Sequence, residues 1–312
     1  MARTKKSYPK KDHYKVVTDR IIESLEKGVA PWVKPWNASS DTPQNGHTGH
    51  KYRGINIMLC WASGHADPRW YTFKQVRSGK YGMSHVKKGS AGTPILKWLF
   101  KDRTEEDADG NIITNTTPIL VTFTVFNHEQ VEWEEGKEPM LPEEIEGNKF
   151  DPAEACAAAA ALLDKTEATV KHGGTRAYYR STEDYIGMPR PETFKTPEDY
   201  WSTLLHEVSH WTGHSSRCNR DLGNRFGSEA YAMEELIAEL GSAFLCVDLG
   251  IQGKLQHEEY IGEWIKKLQS DKYAVFTAAR LAKNAVAHLE GDKATVTPAV
   301  EEKAAQDTAQ AA

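Results

Sequence analysis

Residues four apart on an α-helix stand about 40° apart in rotation and about 6 Å apart along the axis, so their side chains can meet at one point. The string His206-Glu207-Val208-Ser209-His210 puts two imidazoles at that spacing with a carboxylate between them. Its flanks read as helix. Thr196 can cap the start, Pro197 fits the first turn where no N–H is needed, Glu198 and Asp199 complement the positive end of the dipole, and Gly213 closes the element. Tyr200, Trp201, Leu204, Leu205, Val208 and Trp211 form a core-facing stripe at helical period. The pattern therefore predicts a buried helix presenting His206 and His210 to one metal ion, with Glu207 as general base.

A catalytic zinc usually takes three protein ligands and keeps one position open. The third ligand is not a histidine six residues on, because Ser216 stands there. His214 follows the closing glycine and is expected at the surface or behind the ligands. The next helical pattern, Ser228 to Leu249, carries Glu235 and Glu239 four apart among Ala232, Ser242 and Cys246, where an ionised carboxylate is costly unless a positive charge compensates it. This reading makes Glu235 the third ligand and Glu239 the carboxylate that orients a ligating histidine, with Glu234 pointing away. Tyr231, His257 and Tyr260 are unranked candidates for stabilising an oxyanion.

The remaining chain divides by charge. Residues 1 to 103 hold 20 Lys and Arg against 7 Asp and Glu, and the rest hold 19 against 37. The first part suits a polyanion and the second would be repelled by one. With 312 residues, two domains are expected. There is no membrane-spanning stretch and no apolar signal region near Met1, so a cytosolic (cytoplasmic) protein is expected. Cys60, Cys156, Cys218 and Cys246 are scattered without a C-x-x-C pair, which argues against a disulfide framework or a thiolate zinc site.

Within the basic part, a helix is expected over Tyr14 to Lys27, ended by Gly28, after a basic arm of Arg3, Lys5, Lys6, Lys10, Lys11 and Lys15. Strands are expected at Trp70 to Lys74 and in a hairpin of Pro94 to Phe100 with Ile119 to Phe126, joined by an exposed loop over Asp102 to Thr117. Trp32, Lys34, Trp36, Tyr52, Arg53, Trp70, Lys74, Lys87 and Lys88 interleave aromatics with cations, the mix that stacks unpaired bases and follows a single-stranded backbone without reading its sequence. About half of the aromatics are expected to be structural, since large rings tend to be buried. Residues 132–151 are acidic and read as a linker, and residues 291–312, without aromatics, as a disordered tail.

These stretches carry a resemblance. VTDRIIESLEKG, PWVKPW, KYRGINI and WYTFKQ are similar to the single-stranded-DNA-binding domain of ArdC-type antirestriction proteins, a domain also seen in some plasmid primases. YWSTLLHEVSHWTGHSSRCNRDL, FGSEAYAMEELIAELGSAF and YIGEWIKKLQSD resemble that family's zincin-type metallopeptidase domain. The resemblance implies His206, His210 and Glu235 as ligands of Zn²⁺ or another divalent transition metal, Glu207 as base, and a conjugative-plasmid protein that shields incoming single-stranded DNA from host restriction. The basic turn departs from the family's usual V-R-K-G-E-K-G-T, reading Val86-Lys87-Lys88-Gly89-Ser90-Ala91-Gly92-Thr93. The expected fold is α+β: a mixed α/β DNA-binding domain over 1–131 and a gluzincin-type helical domain with a small sheet over 152–290. Two other functions remain open: a regulatory zinc metalloprotease that acts on a host protein and is localised by DNA, or a DNA-coating module whose metal is structural.

Overall fold

The computed structural model describes residues 12–28, 30, 32, 42–106, 112–138, 151–222, 228–252 and 260–291. The basic arm before Asp12, Lys34, Trp36, His257, most of the expected linker and nearly all of the expected tail lie outside the described residues. The fold is α+β, in two parts along the chain.

The first part begins with α1 (His13–Glu26), capped by the Asp12 carboxylate on the Lys15 amide and closed by Gly28 at φ +73. α2 (Ile55–Trp61) follows, and the sheet is then built from β1 (Gln44–Asn45), β2 (Arg69–Thr72), β4 (Thr93–Glu106) and β5 (Ile112–Asn127) in the order β1-β2-β5-β4. Between β2 and β4 lie the short helix α3 (Phe73–Arg77) and β3 (Met83–Val86), which pairs with β6 (Val131–Trp133). Phe73 and Lys74, expected in a strand, are helical because Thr72 and Gln75 form a reciprocal capping box.

The hairpin is longer than the composition suggests. Pairing runs from Thr93↔Val125 out to Glu106↔Ile112, so the expected loop over Asp102 to Thr117 is mostly strand. Ile112, Ile113, Thr114, Thr116 and Thr117 are β-branched and favour the extended chain, which the nearby acidic and Asn residues mask in a composition-based reading. β4 is an edge strand, and Asn56 caps part of it by bonding both the amide and the carbonyl of Leu96 at 2.8 Å.

The second part contains α4 (Pro152–Asp164), a three-stranded sheet of β7 (Thr169–His172), β8 (Tyr178–Arg180) and β9 (Tyr185–Met188) in the order β7-β9-β8, and four further helices: α5 (Pro197–Trp211), α6 (Glu229–Asp248), α7 (Ile261–Ser270) and α8 (Ala274–Leu289). The two parts share one hydrophobic core. Val17, Ile21 and Leu25 of α1 belong to it together with Trp264 and Leu268 of α7 and Val275 and Ala278 of α8. The Thr18 hydroxyl donates to the Lys272 carbonyl at 2.7 Å, and Tyr14 packs edge-on against Tyr273 and Phe276. The expected boundary at 131/132 falls inside β6 (Val131–Trp133), and the shared core runs across the two expected domains.

Candidate metal centre

The centre is made by the close approach of α5 and α6. Thr196 caps α5 through the Asp199 amide at 3.1 Å. Small side chains line the contact between the helices: a Cβ on Gly241 would lie 2.7 Å from Ser209 Oγ, and the Ser242 hydroxyl donates to the Ser202 carbonyl at 3.0 Å. Only glycine at 241 permits this approach. Gly213, by contrast, is held by crowding from Leu222 and Arg220 and not by a left-handed φ.

At that contact His206, His210 and Glu235 form a group able to hold a metal ion, and the three are buried. The two Nε2 atoms are 3.1 Å apart, Glu235 Oε2 is 3.5 Å from His206 Nε2, and Glu235 Oε1 is 3.6 Å from His210 Nε2. A tetrahedral ion with bonds of about 2.05 Å separates its ligand atoms by about 3.4 Å. The observed spacings fit that edge length.

The outer nitrogens are oriented by two carboxylates. His206 Nδ1 lies 3.3 Å from Glu239 Oε2, as expected for Glu239. His210 Nδ1 lies 3.1 Å from Glu234 Oε1, which corrects the expectation that Glu234 points away. Its carboxylate is 2% exposed and is clamped by the Arg220 guanidinium through Nε at 2.9 Å and Nη2 at 2.8 Å. Arg220 also donates to Thr212 Oγ1 and to the Ser209 carbonyl, so it holds the end of α5 and the orienting carboxylate together. Glu234 could have been found from its place beside Glu235 in a buried helix. Arg220 leaves no local signal, since a loop brings it in.

Burial opposes a positive charge on both histidines, but hydrogen bonds to Glu235 and Glu239 outweigh it at His206, raising its pKa to about 10. Bonds to Glu234 and Glu235 do the same at His210, to about 9. Burial would raise Glu235, yet the two histidines hold it well below the usual carboxylate range. The carboxylates around the two histidines thus favour positive charge at this point. Glu207 is buried beside His206. His214 is half-buried, bonds Ser216 Oγ at 2.8 Å and stands outside the group. The Tyr231 hydroxyl is 3.2 Å from that of Tyr260.

The expected DNA contacts divide sharply. Trp32 is 1% exposed and packs edge-on against Trp264 at 5.2 Å; Trp70 is 1% and Tyr52 8% exposed. All three are core, a correction that follows from the shared core drawing in large rings. Arg53, Lys74, Lys87 and Lys88 are exposed.

An HExxH helix beside a glutamate-bearing helix and a small sheet defines a zincin-like protein. Comparison agrees: residues 157–281 match the zincin-like metallopeptidase family model, and residues 11–126 match the N-terminal domain of anti-restriction factor ArdC. The metal-free crystal structure of the antirestriction ArdC protein from plasmid R388 superposes with a TM-score of 0.70 at 34% identity, covering 92% of this chain and 100% of that one. Its Mn(II)-bound form gives 0.68 at 34% identity, covering 90% and 98%. The uncharacterized protein y4eC of Sinorhizobium fredii (strain NBRC 101917 / NGR234) is 36% identical over 285 residues, 87% of this chain and 89% of that protein. Two DNA primase TraC proteins of Escherichia coli are 40% and 39% identical, but the chain spans only 26% and 19% of their lengths. The chain belongs to the ArdC antirestriction family.

Proposed function

We propose that the protein binds single-stranded DNA through its first 130 or so residues, protects incoming plasmid DNA from restriction, and carries one divalent transition metal, zinc by preference, on His206, His210 and Glu235. The convergence of two imidazole nitrogens and the two oxygens of one carboxylate, in contacts of 3.1 to 3.6 Å, carries the metal assignment. Nitrogen-rich donor sets suit zinc and its first-row neighbours, and Mn(II) occupies the R388 relative. Glu239 lies 3.3 Å from His206 Nδ1 and Glu234 3.1 Å from His210 Nδ1, an arrangement that turns both Nε2 atoms toward the same point. Four free cysteines and the absence, among the described residues, of a helix able to cross a membrane are compatible with action in the cytoplasm. A plasmid-transfer assay in a restricting host tests the whole. Protection retained in Glu207→Ala and lost when Arg53, Lys74, Lys87 and Lys88 are all changed to alanine supports DNA shielding, and the opposite pattern sinks it.

A second reading, a DNA-localised regulatory protease, is favoured by the buried Glu207 at a site with a full ligand set. The metal would polarise a scissile carbonyl and activate water. Glu207 would take the proton and pass it to the leaving amine. β7 and β8 are the free edges on which a peptide could lie, and α5 packs against β8 and β9. Hydrolysis of a host protein that disappears in Glu207→Gln while the metal content holds would establish it.

A further inference from the structure

With Trp32, Tyr52 and Trp70 in the core, the stacking surface must lie elsewhere. Among the described residues Phe73 is the most exposed large apolar side chain, at 54%. We propose that Phe73, backed by Phe126 and set in a stretch that exposes Lys74, Arg77, Lys80, Lys87 and Lys88, is the platform on which an unpaired base of single-stranded DNA stacks; this rests on the DNA-binding reading above.

Phe73 is the first residue of α3, and its backbone is held by the capping box. Gln75 donates its amide to Thr72 Oγ1 at 3.2 Å, and the Thr72 amide donates to Gln75 Oε1 at 2.7 Å. Gln75 Nε2 further donates to Asn45 Oδ1 at 3.1 Å. So rigid a start directs the ring outward at little entropic cost on binding. Phe126 supports it from below, with ring centroids 6.2 Å apart. Phe126 itself lies against Gly92, where a Cβ would come within 3.1 Å of two ring carbons and would collide with Thr124 Cγ2. Gly92 thereby joins the aromatic pair to the Lys87-Lys88 turn that precedes it in the chain. That turn is anchored, since Lys87 Nζ donates to the Glu129 carbonyl at 2.9 Å and Gln130 Nε2 to the Ala91 carbonyl at 3.0 Å.

Charge selects the occupant. From Pro68 to Lys101 the sequence has eight Lys and Arg and no Asp or Glu. Lys74, Arg77, Lys80, Lys87 and Lys88 are all exposed, which suits a phosphate backbone running past a stacked base. An apolar protein segment would gain nothing from so cationic a stretch. Phe123, 39% exposed, is three residues from Phe126 on the same strand, hence on the opposite face, and does not extend the platform.

The test uses the full chain and a fluorescein-labelled twenty-nucleotide oligothymidylate, followed by anisotropy. Phe73→Ala should weaken binding about tenfold without changing the salt dependence, and Phe73→Tyr should restore it. Lys74→Ala with Arg77→Ala should instead flatten the salt dependence. In the unaltered chain, a 5-iodouracil oligonucleotide irradiated on the protein should cross-link to the peptide holding Phe73, a readout that a merely structural role would not produce. Unaltered affinity in Phe73→Ala, with the cross-link elsewhere, overturns the platform and leaves DNA binding standing. If the unaltered chain binds no single strand at all, both fall.

Discussion

The α5–α6 pair and the basic first part carry chemistry written in opposite ways. At the metal centre each side chain is placed by its position on a helix, so a spacing of four residues sets its direction as well as its neighbours. His206, His210, Glu235 and Glu239 meet as the pattern requires. In the first part the expected contacts came from residue type alone, and three of the aromatics proved to be interior. An aromatic ring satisfies a core and a DNA base by the same dispersion and area terms, so its presence does not say which it serves. The contrast teaches that periodicity conveys direction and composition does not.

Trp32→Ala should break this contrast most strongly. The ring is fully buried against Trp264, and its loss should cost about 3 to 5 kcal/mol in a denaturant titration, while Phe73→Ala should cost less than about 0.5 kcal/mol. Equal costs would mean that Trp32 is not core. For the same reason a fragment ending near residue 138 should fold poorly, because the apolar face of α1 would lose α7 and α8; a cooperative melt of that fragment would contradict the shared core.

At the metal centre, His206→Ala or Glu235→Ala should reduce bound metal from about one ion per chain to near zero by elemental analysis, whereas Glu207→Gln should retain it. Full occupancy in Glu235→Ala would bring in another third ligand. Glu234→Ala, which strands the buried Arg220, should destabilise the protein by about 3 to 5 kcal/mol and weaken metal binding by about 10- to 100-fold. An unchanged affinity would show that Glu239 alone suffices to orient the pair.

Metal affinity should also depend on pH in a predictable direction. Both Nε2 lone pairs are needed for binding, and the surrounding carboxylates raise the two histidines to about 10 and about 9. Affinity should therefore keep climbing from pH 6 to pH 9, with proton release visible as a buffer-dependent heat in calorimetry. In the metal-free protein the sign is reversed. The stability conferred by raised histidine pKa values is complete below about 6.5 and is lost as pH rises toward 9 to 10. A plateau in affinity above pH 7 would refute the carboxylates' influence. The smallest effect belongs to the exposed turn: Lys88→Ala should leave the melting temperature unchanged and lower the slope of log affinity against log salt by about 1.

Taken alone, the sequence determined the two helices around the candidate metal centre, their caps and the common direction of His206 and His210, because those depend on bonds and contacts within about one helical turn; the meeting with Glu235 waited on the packing of α5 against α6. It also determined the hairpin, though not its length, since β-branched residues in a polar stretch declare themselves only once paired. Tertiary structure decided the rest. Glu234 turned inward because Arg220, from a loop fourteen residues away, supplied the charge that makes a buried carboxylate tolerable. Trp32 turned inward because α7 and α8, more than two hundred residues distant, offered an apolar surface to cover. Phe73 stays outside at the first turn of α3, whose start the Thr72 cap holds in place. Burial is a property of what else arrives at a place, and no local stretch of sequence carries that information.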